Sequence, residues 1–229
     1  MFKEMRVWWY SGISLERLSV YKIEERVLVI KTETLYSAGP FQGLITDIGK
    51  YMCIINDLRN IEYKERMYVE TDPSYKQIIP YVIFASDSKV FSYLRGKLTK
   101  EKRLEGKYSI GIGGHIATND RHLYCEPYIK GMLREVEEEV EVNSVYTDHI
   151  VGLLNDDSND VGKVHFGIVH LFLLQTPNIK AKEKSINRSG FLSISELKMN
   201  IANYESWSRI CIENIEDLLR IVGENRRAD

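Results

Sequence analysis

Apolar residues recur along this chain with two periods, and the change between them predicts its elements. Gln77-Ile-Ile-Pro-Tyr-Val-Ile-Phe84 and Lys89-Val-Phe-Ser-Tyr-Leu-Arg95 are rich in β-branched and aromatic residues, and Ala85-Ser86-Asp87-Ser88 joins them as a hairpin. Tyr108-Ser109-Ile110-Gly111-Ile112 is a further strand candidate that runs into a Gly-Gly pair. The period then lengthens. Ile129, Met132, Leu133, Val136 and Val140 recur at steps of three and four, which is the apolar face of a helix. Asp148 to Leu154 and Val164 to Leu174 read as strands again, the second too apolar for a sheet edge. Gly190 to Leu197 reads as a strand entering a capped turn. One last helix is predicted from about Tyr204, with Trp207, Cys211, Ile215, Leu218 and Val222 inward, Gly223 as its stop and frayed residues after it.

Before residue 76 the pattern is weaker. Arg26 to Lys31 is a short buried-strand candidate, Gly39-Pro40 marks a loop, and a helix follows with Thr46 or Asp47 as cap and Ile48, Tyr51, Met52, Ile55 and Leu58 on one side. No chemical motif falls in this stretch, so it reads as a structural layer, a cover for a cleft or a contact between copies.

The candidate chemistry sits on the helix after the Gly-Gly pair. Glu135, Glu138 and Glu139 fall at i, i+3 and i+4, so their carboxylates share one face within a turn. Like charges that close repel unless a cation sits among them, and Mg²⁺, which takes oxygen ligands, is a natural occupant. The plainer reading is the solvated face of an acidic helix. The neighbours favour the first: Arg134 directly precedes Glu135, and Glu126 lies eight residues before Arg134.

Those spaced residues resemble the Nudix box, G-x5-E-x7-R-E-U-x-E-E-x-G-U with U a bulky aliphatic residue. Glu126, Arg134, Glu135, Val136, Glu138, Glu139 and Val142 match it in place. There are two departures. Eleven residues separate Gly114 from Glu126, a six-residue insertion with Asn119 to Tyr124 at its middle, and Glu141 stands where the box has Gly. The order of FQGL, QIIPY and GKYSIGIGGHI is also similar to a bacterial group of MutT-like phosphoesterases with an N-terminal extension. The resemblance implies the Nudix fold of the α/β (α+β) class, a mixed β-sheet sandwiched between helices, in residues 76–229, with an N-terminal α/β extension in residues 1–75. It implies divalent-metal-dependent hydrolysis of a pyrophosphate bond in a nucleoside diphosphate linked to a group X, or in a nucleoside triphosphate.

Carried over residue by residue, the resemblance gives Glu135, Glu138, Glu139 and the carbonyl of Gly114 as ligands of Mg²⁺ or Mn²⁺. Arg134 orients a glutamate, and Glu126 supports the site. The general base is left open between Glu139 and a carboxylate after the box. In the basic stretch Arg95 to Lys107, Arg95, Lys97 or Arg103 neutralises substrate phosphates, or the stretch is a solvated loop. Arg95 ends a strand on the cleft side in the family. Asp156, Ser158 and Asp160 begin like a calcium loop, but the twelfth place is Gly167 and that reading fails. The loop is then a solvent turn, or Asp157 or a neighbour in it serves the substrate. His165 and His170 face opposite sides of one strand and are taken as structural. Phe191 and Trp207 read as core residues that could otherwise stack on a base.

Composition narrows the class. The chain has 229 residues, 44% hydrophobic and 28% charged, enough for a real core in one domain with or without an extension. A formal net charge of -2 argues against long nucleic acid as a partner and for a small nucleotide. Cys53, Cys125 and Cys211 lack a CxxC pair, so neither a disulfide framework nor a zinc site is expected, and a reducing cytoplasm fits. The N-terminus lacks an apolar core of the secretory kind and no run is long enough for a membrane span, so neither export nor insertion is expected. Trp8-Trp9-Tyr10 reads as a surface anchor or, as is more usual at a chain start, as packing onto the domain. The family is compatible with a homodimer, though no stripe of the sequence demands one. Two rivals remain: a non-catalytic nucleotide-binding regulatory Nudix module, which the intact Glu trio disfavours, and an isoprenoid diphosphate isomerase on the same fold. The second has only Cys125 beside Glu126 in its support.

Overall fold

The computed structural model describes residues 25–96, 104–120 and 127–228, with side chains to residue 223. Strand β1 (Arg26–Lys31) is followed by the short helix α1 (Thr32–Leu35), strand β2 (Gly43–Ile45), helix α2 (Gly49–Ile55), strand β3 (Ile61–Glu65) and helix α3 (Arg66–Val69). The long strand β4 (Tyr75–Ser86) turns at Asp87, whose φ of 52° is tolerated by Asp in a tight hairpin, into β5 (Lys89–Arg95). Short strands β6 (Tyr108–Ser109) and β7 (Gly111–Ile112) lead to helix α4 (Pro127–Glu139), which opens on a proline, the residue best suited to a first helical position. Strands β8 (Val140–Val142), β9 (Tyr146–Asn155), β10 (His165–Leu174), β11 (Ile179–Ala181) and β12 (Ile186–Ser193) follow. Helices α5 (Ile194–Met199), α6 (Ser206–Glu213) and α7 (Ile215–Ala228) close the chain.

The main sheet runs β12-β5-β4-β10-β9-β2, with β4 and β10 parallel and the other neighbours antiparallel. As expected for so apolar a run, β10 is interior, flanked by β4 and β9. Alternation along β4 divides the core into layers. Tyr81, Ile83 and Ala85 pack with Val169, Leu171, Cys211, Ile215 and Leu218, so α6 and α7 cover one face. Val82 and Phe84 pack with Phe172, Met132 and Val136, so α4 covers the other. A third layer, with Leu28, Ile30, Tyr51, Phe166 and Ile168, joins β1 and α2 to the sheet. This is the mixed α/β architecture with a sheet between helices that the sequence implied. The expected boundary at 75/76 falls at the start of β4, and β1 and β2 before it pair with β4 and β9.

Several expectations change in detail: α2 is preceded by Ile48 and not capped by a side chain of Thr46 or Asp47, and Leu58 lies beyond it and exposed. Val140 belongs to β8, not to the box helix: α4 ends at Glu139, whose carbonyl accepts from the amides of Lys182 and Glu183 at 2.9 and 3.2 Å, and β8 pairs with β11. The last helix is broken at Asn214, where the Asn214 side-chain amide donates to the Ile210 carbonyl at 2.8 Å and ends α6. Gly223 is not a stop, because α7 continues through it to Ala228. Trp8-Trp9-Tyr10 lies outside the described residues, and no helix among those described is long and apolar enough to cross a membrane.

Candidate active site

Two adjacent glycines let the chain pass close to both β4 and α4. A Cβ on Gly113 would come within 1.9 Å of the Pro80 carbonyl oxygen. Pro80 has no amide hydrogen to give to a ladder, and it lies between the part of β4 paired with β1 and the part paired with β7. The pairing on that side of β4 is interrupted there, and the glycine loop passes close by. A Cβ on Gly114 would meet the Glu135 carboxylate at 2.3 Å, so backbone and carboxylate are in direct contact. Glu135 and Glu139 are 6% and 9% exposed, whereas the Glu138 side chain is 48% exposed on the outer side of the same turn.

Arg134 ties this turn together. Its Nε and Nη2 donate to the two Asp120 carboxylate oxygens at 2.8 and 3.1 Å, and its Nη1 donates to Glu135 at 2.7 Å and to Glu138 at 3.2 Å. Nη2 also donates to the His115 carbonyl at 3.0 Å, so one guanidinium fixes the glycine loop and both glutamates. The Asp120 carboxylate, followed by Glu135, holds Arg134 well above the ordinary arginine range. Asp120 itself is 1% exposed and accepts from the Ala117 amide at 2.7 Å.

The cleft in front of these groups is lined by Gly114, Glu135, Glu139, Arg95, Glu183 and Trp207, among others. Burial opposes the charge of Arg95, but Tyr93, Glu205 and Glu139 together keep its guanidinium above the ordinary value. Arg95 makes no ion pair among the described residues; its Nε is buried without a partner, and the group lies over the Tyr93 ring at 5.5 Å. Glu205 is the opposite case. Its carboxylate accepts from Tyr81 Oη, Trp207 N, Ser208 N and Ser208 Oγ, so it is committed to capping α6. Glu183 lines the same cleft and makes no side-chain hydrogen bond or ion pair among the described residues, while its amide is fixed to the Glu139 carbonyl. His115 and His165 face each other with Nε2 atoms 3.2 Å apart. The Val161 carbonyl can only accept, so His165 donates to it from Nδ1 at 2.6 Å.

The structure thus brings Gly114, Arg134, Glu135, Glu138, Glu139 and Arg95 into one neighbourhood. Glu126, Arg103, Lys97 and Cys125 lie outside the described residues. Asp157 goes elsewhere: it accepts from Lys76, Gln42, Tyr36 and Asn155, and it does not line the cleft. Asp120, Glu183 and the His115–His165 pair escaped the sequence reading. Asp120 lies inside the inserted loop, where the box pattern offers no register.

Among the described residues no three His, Cys, Asp or Glu side chains converge on a common point. Glu135 and Glu138 both accept from Arg134. The donor set is nevertheless all oxygen and lies within one helical turn beside a backbone carbonyl, the chemistry that suits Mg²⁺ or Mn²⁺.

No family model matches the chain. Protein YmaB of Bacillus subtilis (strain 168) is 34% identical over 205 residues, which cover 85% of this chain and 99% of that protein. The crystal structure of Tm1382, described as a candidate Nudix hydrolase, is 30% identical with a TM-score of 0.71, over 85% of this chain and all of that one.

Proposed function

Because the chain belongs to the Nudix hydrolases, which act on phosphorus-containing anhydrides, we propose that its cleft cleaves the pyrophosphate bond of a nucleoside diphosphate linked to a second group. One observation carries this reading. Glu135 stands against Gly114 in the same cleft as Glu139 and Arg95, a cation that makes no ion pair among the described residues. A diphosphate is the ligand that such a mixture of carboxylates and an open guanidinium suits, with a divalent ion between the anions.

Mg²⁺ or Mn²⁺ would be held by Glu135, Glu138, Glu139 and the Gly114 carbonyl, and when bound it neutralises phosphate charge and lowers the pKa of a coordinated water. The chain's own residues do the rest. Arg134 keeps Glu135 and Glu138 in fixed rotamers, so the site is ordered before substrate arrives. Arg95 takes a phosphate oxygen and stabilises charge on the leaving phosphate. Of the carboxylates lining the cleft, Glu135 and Glu139 are taken as metal ligands, Glu205 accepts from five donors and Glu25 pairs with Arg66, so Glu183 is the one to accept the proton of the attacking water. A nucleoside triphosphate, cleaved to monophosphate and pyrophosphate, fits the same groups. A purely regulatory nucleotide-binding module is not favoured, since nothing in such a role calls for the Glu135, Glu138 and Glu139 trio.

The test is phosphate or pyrophosphate release from nucleoside triphosphates, dinucleoside polyphosphates, ADP-ribose and nucleotide sugars, with Mg²⁺ or Mn²⁺ and with chelator. Release from one class that chelator abolishes supports the proposal. A folded protein silent across the panel overturns it.

A further inference from the structure

Trp207 stands in the cleft with no task in the chemistry above. It is the second residue of α6, and its backbone N–H donates to the Glu205 carboxylate at 2.8 Å. Tyr81 Oη and Ser208 N donate to the same carboxylate at 2.8 and 3.0 Å, so the first turn of α6 is locked to the sheet. The indole meets Tyr81 edge-on with centroids 5.6 Å apart. It also lies over Gly167, where a Cβ would come within 3.0 Å of the indole Cζ3. The residue is only half buried, and its indole N–H makes no hydrogen bond among the described residues. A tryptophan that served the core alone would usually have that N–H satisfied. Here a rigid aromatic surface and an open donor border a cleft, with Ile79 and Val161 as apolar wall.

Position adds a second argument. Helix α4 reaches the cleft from the face of the sheet that carries Val82 and Phe84, and α6 from the face that carries Tyr81 and Ile83. The glutamates and the indole therefore enter from different sides, and a ligand that met both would have a charged arm and a planar one. We propose that Trp207 is a specificity-determining residue: the surface on which the nucleobase of the substrate stacks while the diphosphate lies toward the glutamates. The proposal rests on reading this cleft as a diphosphate hydrolase site. Every base has a π-face, so the platform selects nucleotides over anhydrides with saturated arms more strongly than it selects among bases. Because Glu205 already orders the turn, little freedom is lost on stacking.

Two measurements on the full chain test this. In the presence of chelator, at least one of AMP, GMP, CMP and UMP quenches tryptophan emission, ribose 5-phosphate does not, and the quench is lost in Trp207→Leu. In steady-state kinetics with Mg²⁺, Trp207→Leu raises KM for ADP-ribose or the preferred nucleotide roughly tenfold to a hundredfold, with kcat little changed. Trp207→Phe restores most of the difference, and turnover of phosphoribosyl diphosphate, which has no base, does not respond. A wild-type protein that no nucleoside monophosphate quenches, or a Trp207→Leu protein whose KM is unchanged with a quench that persists, overturns the proposal. The wild-type measurement needs no variant to fold. Quenching without any metal-dependent turnover would instead retain the platform and remove the hydrolase reading.

Discussion

Within one turn of α4 three carboxylates crowd together, and Arg134 answers two of them directly, with Nη1 2.7 Å from Glu135 and 3.2 Å from Glu138. Like charges at this spacing cost a few tenths of a kcal/mol per pair, roughly, in an exposed helix. An arginine anchored on a buried aspartate more than offsets that. Asp120→Asn would loosen the anchor: we expect stability to fall by about 2 kcal/mol, below the usual cost of breaking a buried pair because Arg134 is one-third exposed, and turnover to fall with it. Urea unfolding and initial rates on one preparation check both, and unchanged values for both would show that Asp120 does not set the glutamates. Glu138→Gln separates the effects differently. Its side chain is half exposed, so the thermal midpoint should stay within about 2 °C while metal-dependent turnover drops roughly a hundredfold or more. Wild-type turnover in Glu138→Gln would remove it from the site. The role of Arg134 was readable from its place before Glu135. Asp120 was not, because an aspartate in an inserted loop has no fixed offset from the helix it serves.

At the scale of elements, the loop between β7 and α4 does two jobs with two glycines. At Gly113 an added Cβ would strike the backbone carbonyl of Pro80 at 1.9 Å, and the backbone of a central strand has nowhere to move. At Gly114 it would strike the Glu135 carboxylate at 2.3 Å, the far end of a side chain that can yield at the expense of its Arg134 contact. Gly113→Ala is therefore expected to compromise folding, visible as loss of soluble protein or a steeply lowered melting point. Gly114→Ala should fold and melt near the wild type but lose most of its turnover, since the carboxylate that yields belongs to the site. Equal effects of the two substitutions on melting would contradict these two contacts. Strands and the box helix were legible because their periods are strong: β4, β5, β9 and β10 fall where alternating or continuous apolar runs occur. The ends were not. Val140 continues the helical period, yet pairing of β8 with β11 claims it. Gly223 carries a stop signal that tertiary packing of Leu218 and Val222 overrides.

Across the whole molecule, the N-terminal segment is joined to the cleft wall by one buried cation. Lys76 is 1% exposed, donates to the Gly162 carbonyl at 2.9 Å and pairs with Asp157, which also accepts from Tyr36 and Gln42 of the N-terminal segment. The sequence showed Asp157 only as one acid in a polar loop, because its partners come from three separate parts of the chain. Burial pulls the Lys76 pKa down in spite of the pair, and Tyr36 is pushed up to about 12 by burial and by Asp157. Burial would likewise raise Asp157, but hydrogen bonds from Lys76 and Gln42 outweigh it and bring the carboxyl below its ordinary value. A carboxyl depressed on folding contributes stability that is present above its unfolded pKa, near 4 by the ordinary range, and is lost as pH falls through the folded value. Unfolding free energy of the wild type should therefore decline as pH falls below about 4, with this pair among the causes. Asp157→Asn removes that contribution and leaves Lys76 buried beside a neutral group, so we expect about 2–3 kcal/mol less stability at pH 7 and a shallower acid decline. Lys76→Met in the same chain should recover part of the loss, because a buried charge without its partner costs more than an apolar side chain in its place. Urea titrations of the three proteins between pH 3 and pH 7, about the range in which a carboxyl titrates, decide the matter: parallel acid declines in wild type and Asp157→Asn would show that the pair does not contribute to acid stability.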